Sequence, residues 1–126
     1  MANSQSAPVY LNLFRIRFPV GAVTSIAHRL SGVLMVASFP LLIYLLDLSL
    51  QSPAGFDRAE DILQTGWLRA GSALLAWSLF HHLLSGIRFL LIDMGHGVSL
   101  PQARRSAWLV NIAALAMTLA WLWWIL

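Results

Sequence analysis

The chain contains no cysteine, no lysine and only five acids. Without cysteine, a disulfide, a thiolate metal site and a cysteine-held iron–sulfur cluster are all excluded within it. Charged residues make up 10% of the 126 residues, against 59% hydrophobic ones. A soluble domain carries about 25% charged residues, and one this small has too much surface to hide so many apolar side chains. The sequence therefore reads as an all-α membrane protein, a single transmembrane domain over residues 1–126. Its net charge of +3 comes from eight arginines spread along the chain. That pattern marks no nucleic-acid surface. Its use is to orient the chain across a lipid bilayer.

A helix crossing the hydrocarbon core needs about 20 mostly apolar residues. Three stretches qualify, at about 20–48, 66–92 and 106–126. Between the first two, "SLQSPAGFDRAEDILQTG" is rich in turn formers and acids. Pro53, Ala54 and Gly55 mark a loop there, and "FDRAEDIL" a short surface helix. Between the second and third, "DMGHGVSLPQARR" reads as a loop with two glycines and Pro101. Residues 1–19 form an interfacial segment, because "VYLNLFRIRFP" alternates apolar and polar positions. No signal peptide is expected, since residues 1–9 are polar or small and no A-x-A-like site closes a short apolar region. Arg15 and Arg17 precede the first span, and Arg104 and Arg105 lie before the third. The positive-inside rule then places the N-terminus in the cytoplasm and the C-terminus outside. Trp108 at one end and Trp121, Trp123 and Trp124 at the other suit the two interfaces.

The polar residues of the spans are grouped. At about 100° per residue, Ser25, His28, Arg29 and Gly32 share one face of the first helix. Ser78, His82, Ser85, Gly86, Phe89 and Asp93 share a similar sector of the second. Each face has a glycine one turn after its histidine, where something flat could lie against the helix. His28 is about 12 Å inside the first span, and His82 about 16 Å from the end of the second, at 1.5 Å per residue. The two spans run antiparallel, so both histidines lie in the same leaflet. Ionisable groups inside a membrane default to function. His81 and His96 read as structural, and Arg88 is expected to snorkel to the headgroups.

Neutral imidazole in apolar surroundings is a good ligand for haem iron. One histidine supplies one axial bond, and a second ligand must come from elsewhere. His28 is one candidate, although beside Arg29 it looks more like a propionate contact; a histidine on a partner subunit is the other. No C-x-x-C-H pattern would attach the haem covalently.

"PVYLNLFRIRFPVGAVTSIAHRLSGV" and "HHLLSGIRFLLIDMGHG" together resemble the cytochrome b subunit of bacterial succinate dehydrogenase, the large membrane anchor of respiratory complex II. The resemblance covers essentially the whole chain. It implies three transmembrane helices forming half of a haem-binding bundle that a second anchor subunit completes. It implies that His82 is an axial ligand of haem b, that His28 lies near the propionates, and that Ser25 and Arg29 line the ubiquinone pocket. It implies an iron–sulfur subunit and a flavoprotein subunit as further partners, a place in the bacterial inner membrane with a periplasmic C-terminus, and a trimer of heterotetramers as one assembly. Phe89 stands where many relatives carry histidine, and Ala7 where many carry arginine. Two other readings compete: a proton-conducting subunit using His82, Asp93 and Arg29, and a haem-free structural anchor.

Overall fold

The computed structural model describes residues 17–125, so most of the expected interfacial segment, Arg15 and Ala7 included, lies outside the described residues. The described residues form four helices: α1 (Val20–Gln51), α2 (Pro53–Leu63), α3 (Gly66–Asp93) and α4 (Leu100–Ile125). α1, α3 and α4 are each long and apolar enough to cross a membrane. At 1.5 Å per residue α1 is about 48 Å long, well beyond a hydrocarbon core of about 30 Å. Its ends must project into the interface or the helix must tilt. Pro40 lies inside α1, where it removes one backbone hydrogen bond that membrane helices tolerate losing.

Two helix starts differ from those read in the sequence, both because of proline. Pro53, Ala54 and Gly55 are the first turn of α2 rather than a loop. Ser52 caps this turn, its Oγ accepting from the Gly55 N–H at 3.0 Å. α4 begins at Leu100, not at 106, with Pro101 in its first turn and Arg104 and Arg105 already helical. Proline has no N–H to lose in a first turn, and its fixed φ suits the helix. α3 ends in a Schellman motif. The Gly95 N–H bonds the Ile92 carbonyl at 2.9 Å and the His96 N–H the Leu91 carbonyl at 2.8 Å. Gly95 has φ 84°, which a residue with a side chain adopts only at a cost.

Leu45 and Leu68 aside, the core is made of small and polar residues. Ala76, Ala107 and Ala114 are buried, together with Thr24, Ser31, Ser78, His81, Ser85, Arg88 and Thr118. Large apolar side chains point outward, Leu50 and Trp123 being 77% and 88% exposed. Lipid tails are as apolar as leucine, so nothing drives leucine inward. Small side chains let helices approach, and polar ones find partners between them. On α3 the buried polar residues Ser78, His81, Ser85 and Arg88 form one stripe at spacings of three and four. α1 packs against both α3 and α4, and α2 folds back on α1.

Gly55 sets the seat of α2, since a Cβ there would collide with the Leu48 carbonyl oxygen. Gly55→Ala should destabilise the fold by roughly 1–3 kcal/mol. Gly71→Ala, on α3 with nothing within 4 Å of its Cβ position, should stabilise by roughly 0.5–1 kcal/mol through helix propensity. Unfolding by a denaturing detergent, on protein purified in a mild one, measures both. Shifts in the same direction would remove the close α1–α2 contact as the cause.

Candidate functional site

The polar face of α1 meets α3 at a pair of histidines. The His28 and His82 rings stack, with centroids 4.1 Å apart and planes 13° from parallel. A Cβ on Gly32 would lie 3.1 Å from His82 Cε1 and 3.4 Å from its Nδ1. A Cβ on Gly86 would lie 3.7 Å from His28 Nε2. Each glycine therefore faces the histidine of the opposite helix. The flat object against both glycines in this structure is the other helix's imidazole. Phe89 closes one side, its ring edge-on to His28 at 5.3 Å.

The adjacent histidines of α3 differ in how their nitrogens are used. His82 Nδ1 lies 3.1 Å from the His28 carbonyl oxygen and 3.2 Å from Ser31 Oγ. A carbonyl only accepts, so Nδ1 carries the proton and Nε2 keeps its lone pair. Among the described residues no hydrogen bond engages that Nε2. His81, one residue earlier, is 1% exposed. Its Nε2 pairs with Asn111 Oδ1 at 3.0 Å, and its Nδ1 with Ser85 Oγ at 3.3 Å. The amide oxygen accepts from Nε2–H, so Nδ1 accepts from the hydroxyl. Both nitrogens of His81 are committed, as the structural reading of this residue expects. Asn111 continues the chain, its Nδ2 donating to Thr24 Oγ1 at 3.0 Å, and Thr24 donates to the Val20 carbonyl at 3.0 Å. One amide thus joins α1, α3 and α4.

The sequence grouped Ser78 and Ser85 with His82, but they belong to the buried stripe of His81. The seam between α1 and α4 divides the polar sector of α3, and only the packing reveals where. Arg88 also departs from expectation. It is 7% exposed, and instead of snorkelling it donates from Nε to Ser106 Oγ and from Nη2 to the Ala103 carbonyl, both at 3.0 Å. The first turns of α4 supply those acceptors, Ser106 at the start of the expected third span and Ala103 before it. His96 and Asp93 are exposed near the end of α3. Ser25 is half-buried and Arg29 exposed, one turn apart on α1. Arg29 lines an open recess with Gly32, Val33, Val36 and Ala37. Ser31, Asn111 and Thr24 were missing from the expected site. Ser31 lies one residue before Gly32, the only hint the sequence offers of its contact with His82.

The family model of the succinate dehydrogenase/fumarate reductase transmembrane subunit matches residues 3–121. The chain belongs to that family. The succinate dehydrogenase cytochrome b556 subunit of Coxiella burnetii is 33% identical over 120 residues, 92% of this chain and 96% of its own. That of Paracoccus denitrificans is 34% identical over 108 residues, 83% of this chain and 81% of its own. The mitochondrial succinate dehydrogenase cytochrome b560 subunit of Mus musculus is 28% identical over 117 residues, 90% of this chain and 66% of its own. The family resemblance carried by the two long motifs is therefore borne out. The three long apolar helices agree with a multi-pass membrane subunit.

The Asn111 junction makes a measurable prediction. Removing either partner of the His81–Asn111 bond strands a polar group in an apolar interior. In a double-mutant cycle of His81→Ala and Asn111→Ala, the coupling should be about 0.6–1.7 kcal/mol, from the average to the largest value for hydrogen bonds between membrane helices. Detergent-unfolding midpoints supply the four corners. Strict additivity would show that the pair does not interact.

Proposed function

We propose that the chain is the cytochrome b membrane subunit of a bacterial succinate:ubiquinone oxidoreductase, with His82 as an axial ligand of haem b. One observation carries the reading. Of two neighbouring histidines, His81 has both ring nitrogens in hydrogen bonds, whereas His82 uses only Nδ1. A carbonyl that holds Nδ1–H fixes the tautomer and offers Nε2 to iron. The donor set fits the group for a second reason. Among the described residues His28 Nε2 is buried with no hydrogen-bond partner, and a buried ring nitrogen suits a polar group from outside them. A haem carboxylate is such a group.

Haem b, when bound, stores one electron within the membrane part of the complex. The chain's own residues do the rest. His82 would hold the iron, with a second histidine supplied by the other anchor subunit. The two subunits together make the helical bundle. His28 donates to the propionate region. Ser25 and Arg29 offer a hydroxyl and a cation near the end of α1, where they polarise a quinone carbonyl as charge develops on it. The iron–sulfur and flavoprotein subunits meet this end of the bundle on the cytoplasmic side. The N-terminus is cytoplasmic and the C-terminus periplasmic, in the inner membrane. The names of the relatives, succinate dehydrogenase cytochrome b556 and b560 subunits, support this assignment.

A reduced-minus-oxidised visible spectrum of the purified complex tests the ligand. His82→Ala should abolish or alter the low-spin haem signal, while His81→Ala and His96→Ala leave axial ligation intact. An unchanged His82→Ala spectrum removes the assignment.

Arg29 is tested by two assays on membranes of matched flavin content. Losing a charge-assisted hydrogen bond costs about 1.5–3 kcal/mol, so succinate–quinone turnover in Arg29→Leu should fall roughly ten- to a hundredfold. Succinate oxidation by an artificial acceptor upstream of the quinone should stay near normal. Ser25→Ala should be milder, since a neutral hydroxyl bond contributes about 1 kcal/mol. Equal loss of both activities in Arg29→Leu would point to assembly instead.

A further inference from the structure

We infer that Ser31 is a positioning residue for His82: with the His28 carbonyl it takes the Nδ1 proton of the ring and so sets the midpoint potential of the haem that His82 binds. The inference rests on the proposed ligand role of His82.

Ser31 is fully buried. Its Oγ donates to the His28 carbonyl at 2.7 Å and lies 3.2 Å from His82 Nδ1. The same carbonyl is 3.1 Å from that Nδ1. The three groups close a small ring, and only one proton arrangement satisfies it. The carbonyl cannot donate, so it accepts from both neighbours. The hydroxyl proton is spent on the carbonyl, so Ser31 Oγ can only accept from Nδ1–H. The Nδ1 proton is thereby shared between two oxygens of α1. Gly32, the next residue, lets the ring come this close, since a Cβ there would stand 3.4 Å from Nδ1.

The consequence is electronic. Acceptors on Nδ1–H push electron density towards Nε2 and make the imidazole a stronger donor to iron. A stronger axial donor favours the ferric state and lowers the potential. In a dry interior such a bond is stronger than in water. The ligand belongs to α3 and both of its acceptors to α1, so the α1–α3 contact is also a control on the redox centre. Ser31 need not touch haem or quinone to exert it.

The experiment is a potentiometric titration of the haem in the whole membrane-bound complex, with electron paramagnetic resonance of the ferric form as a second readout. Ser31→Ala should raise the reduced-to-oxidised ratio at fixed ambient potential by roughly threefold to tenfold, tenfold being about 59 mV for one electron. Ser31→Thr, which keeps the hydroxyl, should return the potential towards wild type. Ser38→Ala is the control. Its hydroxyl makes the same kind of bond along α1, to the Met35 carbonyl at 2.6 Å, but faces no histidine, and the potential should not move. An unmoved or lowered potential in Ser31→Ala overturns the inference and leaves His82 as ligand. So does an equal shift in Ser38→Ala. A complex that assembles without haem in Ser31→Ala, yet binds it in Ser31→Thr, supports the inference. If Ser31→Ala fails to assemble, Ser31→Cys decides: a smaller rise supports the role of the hydroxyl, and no rise overturns it. A wild-type complex with no b-type spectrum overturns the proposed function itself.

Discussion

Two imidazoles lie face to face across α1 and α3 because each meets a glycine. The rings of His28 and His82 are 4.1 Å apart, and Gly32 and Gly86 leave the space they fill. Any side chain at Gly32 would press on the His82 ring and push the helices apart. With the helices apart, His82 Nδ1 could not reach the His28 carbonyl, and the tautomer of His82 would no longer be fixed. The site's chemistry therefore depends on a contact made of backbone and missing side chains rather than on attraction between large ones. Membrane helices associate in this way generally, through small residues and short polar links.

Around this contact, polar groups are joined into closed circuits. Thr24, Asn111, His81 and Ser85 run through three helices, and Arg88 ties α3 to the start of α4. An unpaired polar group costs several kcal/mol in hydrocarbon, so each circuit favours the one packing that completes it. His81 and His82 show the division of labour at single-residue resolution. The first spends both nitrogens on holding helices together. The second faces α1 and keeps one nitrogen available. His28 Nε2 is the exception, buried without a partner among the described residues. A buried polar atom left open inside an otherwise satisfied network is where an outside group has most to offer.

The sequence revealed the three spans, because twenty or more apolar residues in a row have one stable use. It revealed that His28 and His82 lie at one depth, because antiparallel helices with a fixed rise can be measured by counting. It could not reveal which polar residue faces which neighbour. Ser85 and His82 are close in helical angle, yet one bonds His81 and the other looks across to Gly32. That choice depends on how α3 is rotated between α1 and α4, and no local pattern encodes it. Arg88 was misread for a related reason. Of its acceptors, Ser106 and the Ala103 carbonyl, the second lies on a helix only because α4 starts at Leu100, and Pro101 looked like a break rather than a first turn. Ser31 is an ordinary small residue until the opposite helix is in place.

The distribution of polar bonds along the bundle also separates function from anchoring. Where α1 begins and α3 ends, side chains bond from one helix to another: Ser31 to His82, Asn111 to Thr24 and to His81, Arg88 to Ser106. Further along, the described hydroxyls turn back on their own helices. Ser38 bonds the Met35 carbonyl, Ser72 that of Arg69, and Thr118 that of Ala114. A hydroxyl bonded to its own backbone offers no step to a proton moving between helices. A conducting path needs polar groups linked through the full thickness of the membrane, and these residues link only at one end. The cross-helix bonds gather in one leaflet, around the paired histidines, and the hydroxyls of the other are bonded to their own backbones. The second half of the bundle, with its outward leucines and tryptophans, is suited to keeping the first at a constant depth.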